Sequence, residues 1–230
     1  MSALVRMRLR AFLRTGRPIA PLVAVLVALG ILYGGGRAPV GEAFGVSAIL
    51  LFPILAWQTK LLLDAEPDTQ RRLARVALNS PGRELAAGLL AALVATVPAL
   101  ALAFGLPFMV GGVRGPEDPL EPSLAVGIAS GVWAHVLAVP AALAVGALSS
   151  RAVTRTFGRG TAALVGGVVA ALVVQTRGSA VSWAGPPLVA VAHATAGGPH
   201  TPTVVLLTAD ALLWASVLLA GYGWLRRTRP

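Results

Sequence analysis

Few side chains in this chain could do chemistry, and their settings narrow what that chemistry is. Asp210, His135 and Gln175 sit inside long apolar runs. Ionisable and strongly polar groups are costly at bilayer depth, so these three are candidates for a substrate or proton pathway, or for hydrogen bonds between helices. His193 and His200 stand seven apart with no carboxylate between them, too sparse a set for a zinc site. Cysteine is absent, which excludes disulfides, thiolate metal ligands and a cysteine nucleophile. A phosphate-binding P-loop needs Gly-Lys followed by Ser or Thr; the only lysine, Lys60, is followed by Leu61. The expectation is no catalytic residue, metal or cofactor in this chain.

The elements that must hold these residues are membrane spans. Of 230 residues 56% are apolar and 12% charged, with a mean hydropathy of +0.78. A soluble domain carries about 25% charged residues, so too little polar surface is left to cover a water-soluble globule. A net charge of +10 invites a nucleic-acid reading, but the charges lie in short gaps between apolar runs instead of forming one patch, and no nucleic acid is expected as partner. Apolar runs at 19–33, 44–63, 85–110, 123–148, 161–176 and 203–225 predict six transmembrane helices. The first and fifth are short; the third and fourth are long enough to tilt or kink. Pro53, Pro98, Pro107 and Pro140 lie inside spans, where neighbouring helices re-satisfy the freed carbonyls. In span six, Asp210 falls about 10 Å from the outer end.

Charge sets the orientation. Arg6, Arg8, Arg10, Arg14 and Arg17 precede span one. Lys60, Arg71, Arg72, Arg75 and Arg83 flank the gap after span two. Arg151, Arg155 and Arg159 follow span four, and Arg226, Arg227 and Arg229 end the chain. The other gaps hold Arg37, Arg114 and Arg177 alone, so sixteen basic residues face three, and the sixteen belong in the cytoplasm. Both chain ends are then cytoplasmic, in a bacterial plasma membrane. A cleaved signal peptide over the first span would spoil this pattern, and Arg37 sits where cleavage would fall. Residues 1–18 read as an amphipathic interfacial helix, with Arg6, Arg10, Arg14 and Arg17 on one face against Leu4, Val5, Leu9, Phe12 and Leu13 on the other. Arg8 breaks the pattern. Residues 19–230 form one transmembrane domain.

The segment 64–88 carries the most information. Pro67 and Asp68 form a helix start, and 69–78 makes a short helix with Leu73, Val76 and Ala77 on one side and Arg71, Arg72 and Arg75 around the other. Asn79 ends it. Ser80 followed by Pro81 starts the next helix, serine capping and proline in the first turn. Gly127-x-x-x-Gly131 and Gly30-x-x-x-Gly34 are candidate sites of close helix approach.

These features resemble ABC exporter permeases of the ABC-2 type. The resemblance is carried by six spans, the N-terminal amphipathic helix, and the cytoplasmic helix after span two. Within the connection it rests on Glu66, on Arg71, Arg72 and Leu73, on Leu78, and on the corner Ser80-Pro81-Gly82-Arg83. It implies that Arg71, Arg72, Leu73, Arg75 and Val76 couple the chain to a cytoplasmic ABC ATPase subunit, which holds the ATP and magnesium. It also implies a second permease subunit, identical or a paralogue, a membrane-lipid surround, and a re-entrant segment between spans five and six, for which 178–202 is the candidate. Apolar spans with few charges point to a hydrophobic or amphipathic cargo such as a lipid, peptide or natural product, moved outward. Two other readings compete. One is a scaffold or assembly subunit without transport. The other is a rhomboid-like serine protease, on Ala129-Ser130-Gly131 and His193, but Ile128 stands where that motif's first glycine belongs.

Overall fold

The computed structural model describes residues 1–119, 121–176 and 181–228. Arg177, Arg229 and residues 178–180 of the expected re-entrant stretch lie outside the described residues. The chain is 80% helical and all-α. Eleven helices run in order among the described residues: α1 (Ser2–Arg14), α2 (Ile19–Gly34), α3 (Val40–Leu63), α4 (Asp68–Leu78), α5 (Pro81–Ala95), α6 (Val97–Met109), α7 (Leu124–Leu148), α8 (Arg151–Thr154), α9 (Phe157–Val173), α10 (Leu188–Gly197) and α11 (Thr201–Thr228). Two-residue strands β1 (Ala38–Pro39) and β2 (Val113–Arg114) pair in parallel, tying the loop after α2 to the loop after α6.

Val40–Leu63, Pro81–Met109, Leu124–Thr154 and Thr201–Thr228 are long and apolar enough to cross a bilayer. A fifth span follows if α1 and α2, bent by 75° at their junction, are counted as one. The protein is thus a multi-pass membrane protein. The expected first span matches α2 to within a residue, whereas α3 and α5 each start four residues before 44 and 85. Proline sets both starts: Pro39 is the N-cap of α3, and Pro81 opens α5 behind the Ser80 cap, whose hydroxyl accepts from the Arg83 amide. The break between α5 and α6 falls at Thr96, just before Pro98. There the Gln58 side chain of α3 donates to the Ala95 carbonyl, a neighbouring helix serving backbone at a kink as expected.

The core is the pairing of α3 with α7, made close by small residues. A Cβ on Gly131 would stand 2.6 Å from the Cβ of Phe44, and one on Gly127 would stand 3.1 Å from the Gly41 nitrogen. The Gly127-x-x-x-Gly131 expectation therefore holds, while Gly30 and Gly34 have no neighbour within 4 Å. A second pair, Gly41 and Gly45 in α3, forms the notch that seats α10: a Cβ on Gly45 would stand 2.9 Å from Ala192 backbone.

Within 178–202 the described residues include one short apolar helix, α10. The fifth helix, α9, starts at the arginine-rich end, where Gly160 meets the Ser149 carbonyl and Phe157 lies under Lys60. It ends at Val173, three residues short of the expected 176. α10 then starts beside the end of α9 and climbs along the α3 notch to Gly198, which packs on Pro122 at the opposite end. Gln175 links the two helices: its Oε1 accepts from the Val189 amide, capping α10, while its Nε2 donates to the Ala171 carbonyl of α9.

Candidate functional site

Helices α1, α4, α5 and α11 meet at the arginine-rich end in one buried ionic cluster, built around Glu84. This residue lies in the first turn of α5 and is 1% exposed. Its Oε1 accepts from Arg8 of α1, and its Oε2 accepts from Arg226 of α11 at 3.0 Å. Arg75 of α4 places Nε 3.6 Å from the same Oε2. Arg8 also donates to the Glu84 carbonyl (2.8 Å) and to Glu66 Oε2 (2.6 Å), and Arg226 donates to the Tyr222 hydroxyl. A cavity of about 10 Å³, the size of one water site, lies between Arg8, Glu66, Arg71, Glu84, Tyr222 and Arg226.

Beside this cluster the end of α3 is capped by arginines. Arg71 donates to the carbonyls of Glu66 (2.9 Å) and Leu63 (3.4 Å), and Arg17 and Arg151 each reach the Asp64 carbonyl at 3.3 Å. Cations on the last carbonyls of a helix complement its dipole. Asp64 also pairs with Lys60 at 2.6 Å and accepts from the Arg151 amide at 2.6 Å, joining α3 to α8.

Arginine does not give up its proton in proteins, and ionised carboxylates only accept hydrogen bonds. What such a cluster does is mechanical: α4 and both ends of the chain are fastened to one carboxylate.

The five expected coupling residues divide by face. Arg71 is buried and Arg75 half-buried, both turned into the cluster. With Glu66 and Glu84 inside, the two cations are held by local carboxylate and carbonyl groups. Leu73 and Val76 are 69% and 79% exposed, and Arg72 is exposed beside them. The outward face of α4 is apolar with a cationic flank.

The pathway candidates do not come together. His135 is buried in α7 between Phe44 and Phe104, its Nδ1 donating to the Gly131 carbonyl (2.8 Å) and its Nε2 meeting the Ser47 hydroxyl (3.0 Å). Gln175 is the cap of α10. Asp210 is half-buried on α11 with no hydrogen bond or ion pair among the described residues. Ser130 donates to the Gly127 carbonyl of its own helix, and no hydrogen bond links it to His193, which is exposed on α10. At the opposite end Arg114 donates twice to Glu121, at 2.7 Å each, and these bonds hold the Glu121 carboxyl at about 2.

Sequence reasoning passed over Glu84 and Arg226 and left Arg8 as an exception. The available signal was Arg8 on the apolar face of an amphipathic helix, with a carboxylate in the first turn of a span to receive it. No protein-family model, curated protein or solved structure matches the chain.

Proposed function

We propose that this chain is the membrane permease subunit of an ATP-driven exporter of the ABC-2 type. In this reading it pairs with a second permease subunit and takes its drive from a separate cytoplasmic ABC ATPase. It sits in a bacterial plasma membrane with six crossings, formed by α2, α3, α5–α6, α7–α8, α9 in series with α10, and α11. The cargo is hydrophobic or amphipathic. One observation carries the reading: α4 is tethered inward by Arg71 and Arg75 while Leu73 and Val76 stand bare. A helix fixed on one face and apolar on the other suits a lever pushed by a partner, and it joins α3 to α5 through a stretch with no glycine from 46 to 81. Force on α4 then reaches both helices and, through Glu84, α1 and α11.

The test is the double variant Leu73→Asp with Val76→Asp. Both side chains are exposed, so insertion and the thermal midpoint should match wild type. Co-purification of the ATPase subunit, or its stimulated hydrolysis, should fall at least tenfold, since the contact would bury two unpaired carboxylates. An intact, coupled complex in that variant, or no ATPase retained by the wild-type chain, would overturn the proposal.

A further inference from the structure

A groove of about 380 Å³ opens between the start of α5 and the end of α11, on the far side of Glu84 from Arg8. Its polar end is lined by Arg75, Arg226 and Arg227, and its floor by Leu85, Leu219 and Trp224. Three cations line it, and the one carboxylate in its lining, Glu84, is divided among Arg8, Arg75 and Arg226, which leaves the groove net cationic. Arg227 is exposed and has no acidic partner among the described residues. Gly223 leaves the floor open: a Cβ there would meet nothing nearer than Leu85 Cδ1 at 3.7 Å.

The apolar end leads out along α11. Trp224, Ala220, Val217 and Leu213 follow one another at helical spacings of four, three and four, so they form one stripe, and all four are exposed. The groove is therefore cationic at the arginine-rich end of the bundle and runs into bare hydrocarbon-facing surface, with a tryptophan at the boundary. Tryptophan at that depth marks the membrane interface.

We propose that this groove binds an anionic phospholipid, its phosphate against Arg75, Arg226 and Arg227 and an acyl chain along the Val217–Leu213 stripe. Arginine suits the phosphate because its planar fork can donate two hydrogen bonds to neighbouring oxygens. A zwitterionic lipid brings its own cation to a site that already holds three. The inference rests on the multi-pass membrane architecture and not on the transporter reading, so either can fail alone.

The test is native mass spectrometry of the purified chain released from mixed micelles of phosphatidylglycerol and phosphatidylcholine with identical acyl chains. Phosphatidylglycerol should be retained preferentially. Arg227→Gln should cut that preference about fivefold, the effect of one interfacial arginine. Because Arg227 has no internal acidic partner, the fold should be undisturbed. Gly223→Leu, which fills the floor, should lower phosphatidylglycerol retention at an unchanged thermal midpoint. Equal retention of the two lipids, an Arg227→Gln preference matching wild type, or full retention by Gly223→Leu would overturn the proposal. Displacement of the lipid by millimolar inorganic phosphate would do so too, by making this a site for free phosphate. So would loss of the preference on binding a protein partner at Arg227.

Discussion

At Glu84 one carboxylate serves arginines that lie 76 positions before it and 142 positions after it. Removing its charge leaves Arg226 buried without a counter-ion and Arg8 with Glu66 alone, and breaking such an arrangement costs up to about 3–5 kcal/mol. Glu84→Gln should lower the thermal midpoint in detergent accordingly. It should also speed tryptic cleavage at Arg6, Arg10 and Arg14, because α1 loses its anchor. A loss below about 1 kcal/mol with unaltered cleavage would mean that packing of Phe12 alone holds α1. Local pattern could not have revealed this cluster. Periodicity shows Arg8 off the basic face of its helix, but ion pairs across such separations belong to the fold. The same limit hid the partners of Arg71 and Arg75. Helical spacing gives the face on which they lie, and only the position of Glu84 decides that this face points inward. Gln175 was legible as a polar group in a span, yet its partner, the Val189 amide, lies across a break that no period predicts.

At the scale of elements, the packing of α3 on α7 and of α10 on α3 depends on where side chains are missing. Gly45→Ala would place a methyl 2.9 Å from both the Cα and the carbonyl oxygen of Ala192, which are backbone atoms that cannot rotate away. Overpacking of that kind costs about 1–3 kcal/mol. Gly30→Ala, with nothing within 4 Å, should be neutral or slightly stabilising by helix propensity. The contrast in thermal midpoints is the measurement, and equal midpoints would remove the notch from the account of how α10 is seated. Hydropathy located the long helices well because burial in lipid makes whole runs apolar, and the Asn79–Ser80–Pro81 corner was read correctly because its signals are local. Asn79 does take the left-handed conformation, with φ 46°, that ends α4. The glycine pairs were harder. Gly127-x-x-x-Gly131 and Gly30-x-x-x-Gly34 look alike in sequence, and only the neighbours tell the working pair from the idle one. The pair that holds α10, Gly41 and Gly45, was passed over at the start of α3, because the expected span began after Gly41.

For the whole molecule the cluster constrains topology. α1 and the end of α11 both reach Glu84, so both lie at one end of the bundle, as the proposed reading with an even number of crossings needs. In the proposed reading α2, α3, α5–α6, α7–α8 and α11 are five crossings, and α9 with α10 is the sixth. α9 with 17 residues, about 25 Å at 1.5 Å each, is short like α2 with 16 against a hydrocarbon thickness near 30 Å. In series with the ten residues of α10 it has length to spare. Charge agrees with this assignment: Arg75, Arg155 and Arg226 lie towards one end, while Arg114, neutralised by Glu121, lies at the other. Reporter fusions after Arg75 and Arg155 should therefore be cytoplasmic, and fusions at Gly115 and Gly198 external. The decisive site is Gly198, because it alone reports whether α9 and α10 together complete a passage. A cytoplasmic Gly198 with an external Gly115 would leave α9 and α10 on the inner side. α11 could not then return its C-terminal end to Glu84 after a single crossing, and the six-crossing architecture would have to be abandoned.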